Sequence, residues 1–393
     1  MLPDIDERNE DSPGEAVIRL AESLINIESL SGSEHAMAHA LKGWLIKRGW
    51  EVVLQPVPPA LGHEEEGERW NVYAFRPGTG VARRDKGPKV LLNSHIDTVP
   101  PFYSATVDRQ NGVIRGRGAC DTKGILAAQL LAAQRLVESG QAADLGLLYV
   151  VSEETDHSGM KQANSLNLRP NFLLVGEPTE SKMIRSQKGL LKLRLLSHGV
   201  SCHSGYPSLG KSAIDPLVDA LQDLKRAHWP QNEELGATTL NIGLLKGGHA
   251  ANALAAEAEA TLVFRLITPP EQVLETVRAT VGDRADVEVI TANTPVQLNT
   301  LEGYATDVAC FNTDIAYFDL REPTAQAFLM GPGSILDAHS DHELIQIPEL
   351  QRAVAYYEEI LLRLLKGPRG STQRVASQAA ESVGASVVDA RAL

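Results

Sequence analysis

The sequence predicts an α/β protein in which a small α+β domain is inserted into a larger α/β domain. Its 393 residues exceed what one hydrophobic core usually holds, which favours two domains. Continuous runs of Val and Leu alternate with amphipathic helical segments over the first half of the chain, a pattern typical of a sheet covered by helices on both faces. After Lys188 the order changes to β-α-β-β-α-β, which predicts a small ferredoxin-like sandwich.

The larger domain is predicted from its elements in chain order. Apolar residues at helical spacing, such as Val17, Leu20 and Leu24, indicate a first helix, and "EHAMAHALKGWLIKRG" indicates a second. The segments "EVVLQPV" and "WNVYAFRP" follow as strands. Three buried strands come next, "PKVLLNSHID", "LGLLYVVSEE" and "NFLLVGEP", with the helix "KGILAAQLLAAQRLVES" after the first of them.

The inserted domain is predicted over residues 193–302. Its strands are "LLKLRLLSHG", "TTLNIGLLKGG", "EATLVFRLI" and "DVEVITAN", and its helices are "KSAIDPLVDALQDLKRAH" and "PPEQVLETVRATVGD". The larger domain, predicted over residues 1–192 and 303–366, resumes with the strand "EPTAQAFLMGPGS" and the last helix "ELQRAVAYYEEILLRLLK". Residues 367–393 contain few large apolar side chains, which predicts a mobile tail.

Composition and charge exclude several classes of partner. The chain has 43% hydrophobic and 22% charged residues, typical of a globular protein, and its formal net charge is -13 at pH 7. A nucleic acid or an anionic membrane would require a basic surface. The sparse cysteines, Cys120, Cys202 and Cys310, give no disulfide framework. Because no signal peptide or apolar run of roughly 18 residues is present, we expect a cytoplasmic protein.

Acids and histidines follow the predicted buried strands where these strands end. His95 and Asp97 lie two residues apart, so an extended chain directs both side chains to the same side. Glu153 and Glu154 end the next buried strand, and Glu177 ends the one after it. Because ligands collect beyond the carboxyl ends of strands in open α/β sheets, we expect these side chains to meet.

Two loops supply further candidates. Asp121 in "GRGACDTKG" precedes a helix, and His339 lies in "GPGSILDAHSDHE". Taken singly, each candidate has an ordinary interpretation: Asp121 as a helix N-cap, the glutamates as loop charges or salt-bridge partners, and the histidines as loop residues. Taken together, the candidates supply imidazole and carboxylate ligands for two divalent metal ions, one carboxylate able to bridge, and a spare acid.

These motifs resemble those of the di-zinc exopeptidase family that includes acetylornithine deacetylase, succinyl-diaminopimelate desuccinylase, aminoacylase and glutamate carboxypeptidase. The resemblance runs from about Val17 to Leu365, and "SHIDTVP", "GRGACDTKG", the Glu pair, "GEP", "HSGYP" and "GPGSILDAHSDHE" match in order. The sequence is especially similar to fungal members described as probable carboxypeptidases, which are usually secreted. The resemblance implies a mixed-sheet zinc-peptidase catalytic domain with the inserted domain as lid and dimerisation domain.

The resemblance implies a metal role for each of the five candidate ligands. His95 and Glu177 would hold one zinc ion, and Glu154 and His339 would hold the other. Asp121 would bridge the two ions. The family thus implies two Zn²⁺ per chain, and Co²⁺ or Mn²⁺ is expected to substitute for zinc.

The remaining residues of the site also receive roles from the resemblance. Asp97 would orient the histidine at the end of its strand, and Glu153 would act as general base. The peptide bond Asp121–Thr122 would be cis. His342 is expected to be a bystander. His157 stands where the family often has glycine, and it is interpreted as loop chemistry rather than as a ligand.

The inserted segment carries the candidates for substrate recognition. His203 in "GVSCHSGYPSLG" would donate to the developing oxyanion, or it hydrogen-bonds only within its own turn. Asn252 and Arg265 would grip the substrate carboxylate, although Arg265 as a surface ion pair stays an alternative. Ala255 stands where the family usually has proline, which weakens the Asn252 assignment.

Two functions from different classes follow. The first is a zinc-dependent metallopeptidase that removes a C-terminal residue from a small peptide, with an N-acyl-amino-acid deacylase of the acetylornithine deacetylase type as the alternative within the enzyme class. The second is a non-catalytic metal- or ligand-binding protein on the same fold. Glu153 favours the enzyme, because a binder does not need an unligated acid beside the metals. The resemblance also implies a homodimer in which His203 completes the partner's active site.

Overall fold

The computed structural model describes residues 2–3, 13–59, 67–76 and 87–367. Its helices are α1 (Pro13–Ile25), α2 (His35–Lys47), α3 (Lys123–Glu138), α4 (Ser158–Ala163), α5 (Ile214–Arg226), α6 (Pro270–Val281) and α7 (Ile347–Lys366). Short 3-10 helices cover Asn164–Leu166, Pro207–Leu209, Gly282–Arg284 and Asp314–Tyr317. The tail predicted to be mobile lies outside the described residues, apart from Gly367.

Eighteen strands are present in the described part of the chain. They are β1 (Glu51–Val57), β2 (Arg69–Phe75), β3 (Val90–His95), β4 (Thr106–Asp108), β5 (Val113–Arg115), β6 (Leu145–Val150), β7 (Phe172–Val175), β8 (Met183–Gln187), β9 (Gly189–His198), β10 (Gln231–Asn232), β11 (Gly236–Ala237), β12 (Thr239–Gly247), β13 (Glu257–Leu266), β14 (Asp286–Asn293), β15 (Val296–Gln297), β16 (Thr306–Ala309), β17 (Gln326–Leu329) and β18 (Leu344–Gln346).

The central sheet has six strands in the order β1-β2-β6-β3-β7-β17. Strands β6, β3, β7 and β17 run parallel, whereas β2 pairs antiparallel with both β1 and β6. Strands β3, β6 and β7 are buried along their whole length, which explains their unbroken apolar sequences. The prediction of a mixed-sheet α/β fold is therefore confirmed.

Successive residues of the central strands enter two different cores. Leu92 and Leu147 pack with the cluster formed by α1, α2, α3 and α7 on one face. Leu91 and Leu148 pack on the other face with Met160 of α4 and the segment that includes Phe318. Each face therefore removes its apolar side chains from water, and the free energy gained by this burial fixes the register of the sheet.

The elements predicted after Lys188 are present in the predicted order, β9-α5-β12-β13-α6-β14. They form an antiparallel sheet, hereafter the small sheet, in the order β12-β13-β9-β14. Leu191, Leu193 and Leu195 of β9 face a core that contains Leu217 of α5 and Val277 of α6. The alternate residues of β9 therefore point away from the helices. The domain boundaries at 193 and 302 stay a prediction.

Two further three-stranded sheets, β15-β8-β16 and β18-β5-β4, were not predicted. Their strands contain two to five residues, too few for a pattern of alternation to be recognised. No helix in the described ranges combines the length and the apolar character needed to cross a bilayer.

Candidate metal centre and catalytic site

His95 and Asp121 form the centre of the candidate metal site. His95 is the last residue of β3 and only 1% exposed. Its Nδ1 donates to the backbone carbonyl of Asp97 at 2.9 Å, and its Nε2 faces Asp121 Oδ1, 3.0 Å away. Burial lowers the pKa of His95, but the neighbouring carboxylates outweigh burial and raise it well above its ordinary value.

Asp121 lies between two histidines. While its Oδ1 contacts His95, its Oδ2 is 3.3 Å from Nε2 of His339. The same Nε2 is 2.9 Å from Oε2 of Glu154. Hydrogen bonds to Asp121 and Glu154 raise the pKa of His339 to about 10. One carboxylate that faces two imidazoles with its two oxygens has the arrangement of a bridging metal ligand.

Three buried carboxylates converge at this point, and their charges repel. Burial and then Asp121 raise the pKa of Glu154 to about 7. Burial also raises the pKa of Glu177 well above its ordinary value, and its Oε1 lies 3.9 Å from Nε2 of His95. That oxygen has no hydrogen-bond partner in the described ranges. Cations between these groups would offset the repulsion between the carboxylates and would give the unpaired Glu177 oxygen a partner.

The donor set fits two divalent ions. Candidate ligand atoms of His95, Asp121 and Glu154 lie within 4.8 Å of one another. Glu177 on one side and His339 on the other extend this trio, giving two imidazoles and three carboxylates. Such a mixed nitrogen and oxygen set is typical of Zn²⁺, Mn²⁺ and Co²⁺ sites.

Glu153 lies beside this cluster without belonging to it. Burial and the charge of Glu177 raise the pKa of Glu153 well above its ordinary value. Its Oε1 is 3.8 Å from Nδ1 of His157, a residue that sequence reasoning placed in a plain loop. His157 is buried and contacts Asp314 Oδ1 at 2.9 Å. Sequence analysis did not identify Asp314, which is 157 residues away along the chain.

A family model described as peptidase family M20/M25/M40 matches residues 91–363. The chain belongs to this family. It is 38% identical over 362 residues to a peptidase M20 domain-containing protein of Schizosaccharomyces pombe, covering 90% of this chain and 86% of the relative. It is also 35% identical over 368 residues to a probable carboxypeptidase of Aspergillus terreus, covering 86% of this chain and 84% of the relative.

Solved structures of M20 peptidases share the fold. An M20 family metallo-carboxypeptidase from Sulfolobus solfataricus matches with a TM-score of 0.70 and 18% identity over 91% of this chain and 100% of the other. A dinuclear metal-binding M20 peptidase from Bacillus subtilis matches with a TM-score of 0.63 and 16% identity over 91% and 99% of the two chains. The resemblance stated from the sequence is confirmed, and this M20 peptidase is a metal-dependent hydrolase.

Asp97 holds the M20 site together in two ways. Its carbonyl, rather than its carboxylate, makes the short contact with His95, because the carboxylate oxygen is 3.5 Å from Nδ1. The carboxylate instead accepts the backbone N–H groups of Glu153 at 3.0 Å and Glu154 at 3.2 Å, and the hydroxyl of Ser31 at 2.7 Å. Burial raises the pKa of Asp97, but these bonds and His95 outweigh burial and lower it.

Glu343 fixes the loop that carries Asp121. Its Oε1 accepts the backbone N–H groups of Gly118, Cys120 and Asp121 at 3.0, 3.2 and 3.1 Å, and its Oε2 accepts from Arg117 at 2.7 Å. Glu343 is 3% exposed. It ends the motif that contains His339, so one carboxylate joins the two loops of the site. Glu343 belongs to a motif that was recognised in the sequence, but no local pattern indicated that it holds the Asp121 loop.

The peptide bond Asp121–Thr122 is cis, as predicted. His342 is exposed, and its role as a bystander stays a prediction.

A cleft of about 370 Å³ opens between the metal site and the small sheet. Glu153, Glu154 and Glu177 line one side of it, and Lys192 and Arg265 line the other. Arg265 lies on β13, on the face of the small sheet opposite its helices, and is half-buried. The structure thus brings Arg265 to the site, as the resemblance implied.

His203 and Asn252 do not line this cleft within the described chain. Both are exposed and lie side by side, since the backbone N–H of Ser204 donates to the carbonyl of Asn252 at 2.9 Å. Nδ1 of His203 accepts the backbone N–H of Gly205 at 3.0 Å. Their predicted roles in oxyanion and carboxylate binding stay predictions.

Proposed function

We propose that this M20 peptidase is a carboxypeptidase that removes the C-terminal residue of small peptides with the help of two zinc ions. The observation that carries the proposal is the cleft, which has Arg265 on one wall and the acid and histidine cluster on the other. A guanidinium group pairs with a carboxylate through two parallel hydrogen bonds. A substrate whose free carboxylate meets Arg265 would therefore present the neighbouring amide bond to the metal site.

The ligands divide as the resemblance implies. His95 and Glu177 would hold one ion, Glu154 and His339 the other, and Asp121 would face both, with Co²⁺ or Mn²⁺ able to replace zinc. The chemistry that the two ions supply when bound is polarisation of the scissile carbonyl and a lowered pKa for water.

Glu153 moves the proton. One of its carboxylate oxygens accepts a proton from the attacking water and then delivers it to the nitrogen of the departing amine. Burial raises the pKa of this carboxyl group, which makes its carboxylate a stronger acceptor for the proton of water. Asp97 fixes the backbone at Glu153, which keeps the carboxylate on the cleft side.

We further propose a twofold homodimer in which His203 reaches the partner's cleft and donates to the developing oxyanion. His203 is exposed and outside its own cleft, and apolar side chains near it are also exposed, Tyr206 by 66% and Leu209 by 74%. β12 is an edge strand of the small sheet, and its Leu244 and Leu245 face solvent. An apolar edge strand favours pairing with a second copy.

Refolding a mixture of His203→Ala and Glu153→Ala tests this arrangement. In a mixed dimer one site has both residues intact, although each variant alone is inactive. Random mixing should restore about a quarter of wild-type activity, because half of the dimers are mixed and one of their two sites works. Mixed dimers without recovery would mean that His203 acts within its own chain or not at all.

Matched substrates test the reaction itself. The zinc-loaded protein should cleave dipeptides with a free C-terminal carboxylate, and C-terminal amidation of the same dipeptides should abolish cleavage. N-acetyl amino acids are the comparison, because they share the carboxylate but lack a second residue. Turnover restricted to N-acetyl amino acids would identify a deacylase, and binding of both substrate classes without turnover would identify a non-catalytic binding protein.

A further inference from the structure

His157 occupies a tightly defined position beside the cleft. It precedes α4 with a φ of 57°, a left-handed conformation that histidine adopts more readily than most side chains. Its ring stacks on Tyr317, with the ring centres 4.0 Å apart and the planes 18° from parallel. The side chain is buried but still lines the cleft. The ring therefore has little freedom to turn.

Asp314 fixes the direction of that ring. Its Oδ1 lies 2.9 Å from Nδ1 of His157, so Nδ1–H donates to the carboxylate. Asp314 is 1% exposed, and its Oδ2 has no hydrogen-bond partner in the part of the chain that the structure describes. Because water barely reaches this carboxylate, it depends on the imidazole opposite it to stabilise its negative charge.

Nδ1 of His157 also faces Glu153. The distance from Nδ1 to Glu153 Oε1 is 3.8 Å, too long for a hydrogen bond but short enough for the positive end of the Nδ1–H dipole to attract the carboxylate. Among the described residues, no other side chain forms an ion pair with the Glu153 carboxylate. His157 thus stands between the half-buried carboxylate of Glu153 and the buried carboxylate of Asp314, whose charges would otherwise repel at close range.

We propose that His157 is a positioning residue for Glu153, held by Asp314 and Tyr317 so that Nδ1 attracts the Glu153 carboxylate and separates it from Asp314. The inference rests on the proposed role of Glu153 in proton transfer. Because Asp314 takes the hydrogen bond from Nδ1, both oxygens of Glu153 stay free for water and for the departing amine. Removal of the imidazole would let Glu153 turn away from Asp314 and from its reactive geometry.

Two substitutions at this position separate positioning from packing. His157→Gly removes the ring without backbone strain, because glycine adopts positive φ freely. His157→Asn also tolerates this conformation and keeps an N–H donor close to the position of Nδ1. Asn167→Gly is the matched control, since Asn167 has a φ of 54° and lies outside the cleft lining.

We expect His157→Gly to lower kcat by about tenfold to a hundredfold, with KM and bound metal unchanged. Added imidazole should enter the space beside Tyr317 and restore part of the lost turnover. His157→Asn should keep most of the wild-type kcat, and Asn167→Gly should keep all of it. Equal losses in His157→Gly and His157→Asn without imidazole rescue would overturn the proposal, as would a loss of metal.

A second measurement does not depend on hydrolysis. In the full chain labelled with ¹⁵N-histidine, the Nδ1–H resonance of His157 can be identified by its absence in His157→Asn. We expect Asp314→Asn to shift this resonance strongly and Glu153→Gln to shift it measurably. An unmoved resonance in Glu153→Gln would overturn the coupling between the two residues. Inactivity of the wild-type protein towards every substrate would instead refute the proposed function, and the resonance would still decide the positioning.

Because the atoms of Glu153, His157 and Asp314 also suit a metal ion, metal content is measured in the same variants. If His157 positions Glu153 and binds no metal, Asp314→Asn should bind as much zinc as the wild type. Loss of one equivalent of zinc, with the other metals retained, would replace the proposal with a third metal site.

Discussion

Glu343→Ala is expected to destabilise the protein and to weaken its metal binding together. Glu343 accepts three backbone N–H groups from the loop that carries Asp121, and it pairs with the buried guanidinium of Arg117. Both partners of the ion pair are 1% exposed at their side chains. Alanine would leave a buried positive charge and three buried donors without their acceptor.

The magnitude follows from these contacts. Removal of one partner from a buried ion pair costs about 3–5 kcal/mol. Each buried donor left unpaired costs about 1–3 kcal/mol, but water entering the new cavity would satisfy part of this set. We therefore expect Glu343→Ala to lower the free energy of unfolding by about 4 kcal/mol or more. Glu343→Gln keeps one acceptor oxygen for the N–H groups but leaves the Arg117 guanidinium without its counter-charge, and it should lower the free energy of unfolding by about 3 kcal/mol.

Chemical denaturation of the metal-free protein measures the stability, and competition with a chelator measures the metal affinity. Since a displaced loop would move Asp121, the proposed bridging ligand, both variants should bind zinc about 10- to 100-fold more weakly. Asp341→Asn is the control, because Asp341 is an exposed residue of the same loop and should change stability by less than about 0.5 kcal/mol. If Glu343→Ala has the same free energy of unfolding and the same metal affinity as the wild type, the reasoning is refuted.

Three further predictions concern the metal centre and the cleft. Elemental analysis should find about two zinc ions per chain. Removal of the metal with a chelator should abolish activity until zinc, Co²⁺ or Mn²⁺ is added back. Full activity of the metal-free protein would contradict this prediction. Glu153→Gln should keep its metal but lose at least about a hundredfold in turnover, whereas Glu154→Gln should lose metal. The reverse pattern would make Glu154 the general base and Glu153 the metal ligand. Arg265→Lys should raise KM for peptides with a free carboxylate by about tenfold and leave bound metal unchanged, and an unaltered KM would remove Arg265 from the carboxylate site.

The sequence by itself determined which strands are buried on both faces and the edge of the sheet where the site forms. Unbroken apolar segments required strands buried on both faces, as β3, β6 and β7 are. Because parallel strands end at the same edge, the residues after them had to meet there, and His95, Glu154 and Glu177 do. The order of elements in the small sheet was also readable, since alternation with period two is a local property of the chain.

Only the tertiary structure decided which distant groups hold these residues in place. Glu343 contacts a loop 222 to 226 residues earlier in the chain, and Asp314 contacts His157 across 157 residues. Each resembles an ordinary loop acid in the sequence, because hydrophobic periodicity reports which face of a strand or helix is buried and nothing about polar partners. Such partners are selected when the folded chain excludes water and every buried charge must find an opposite charge or a donor.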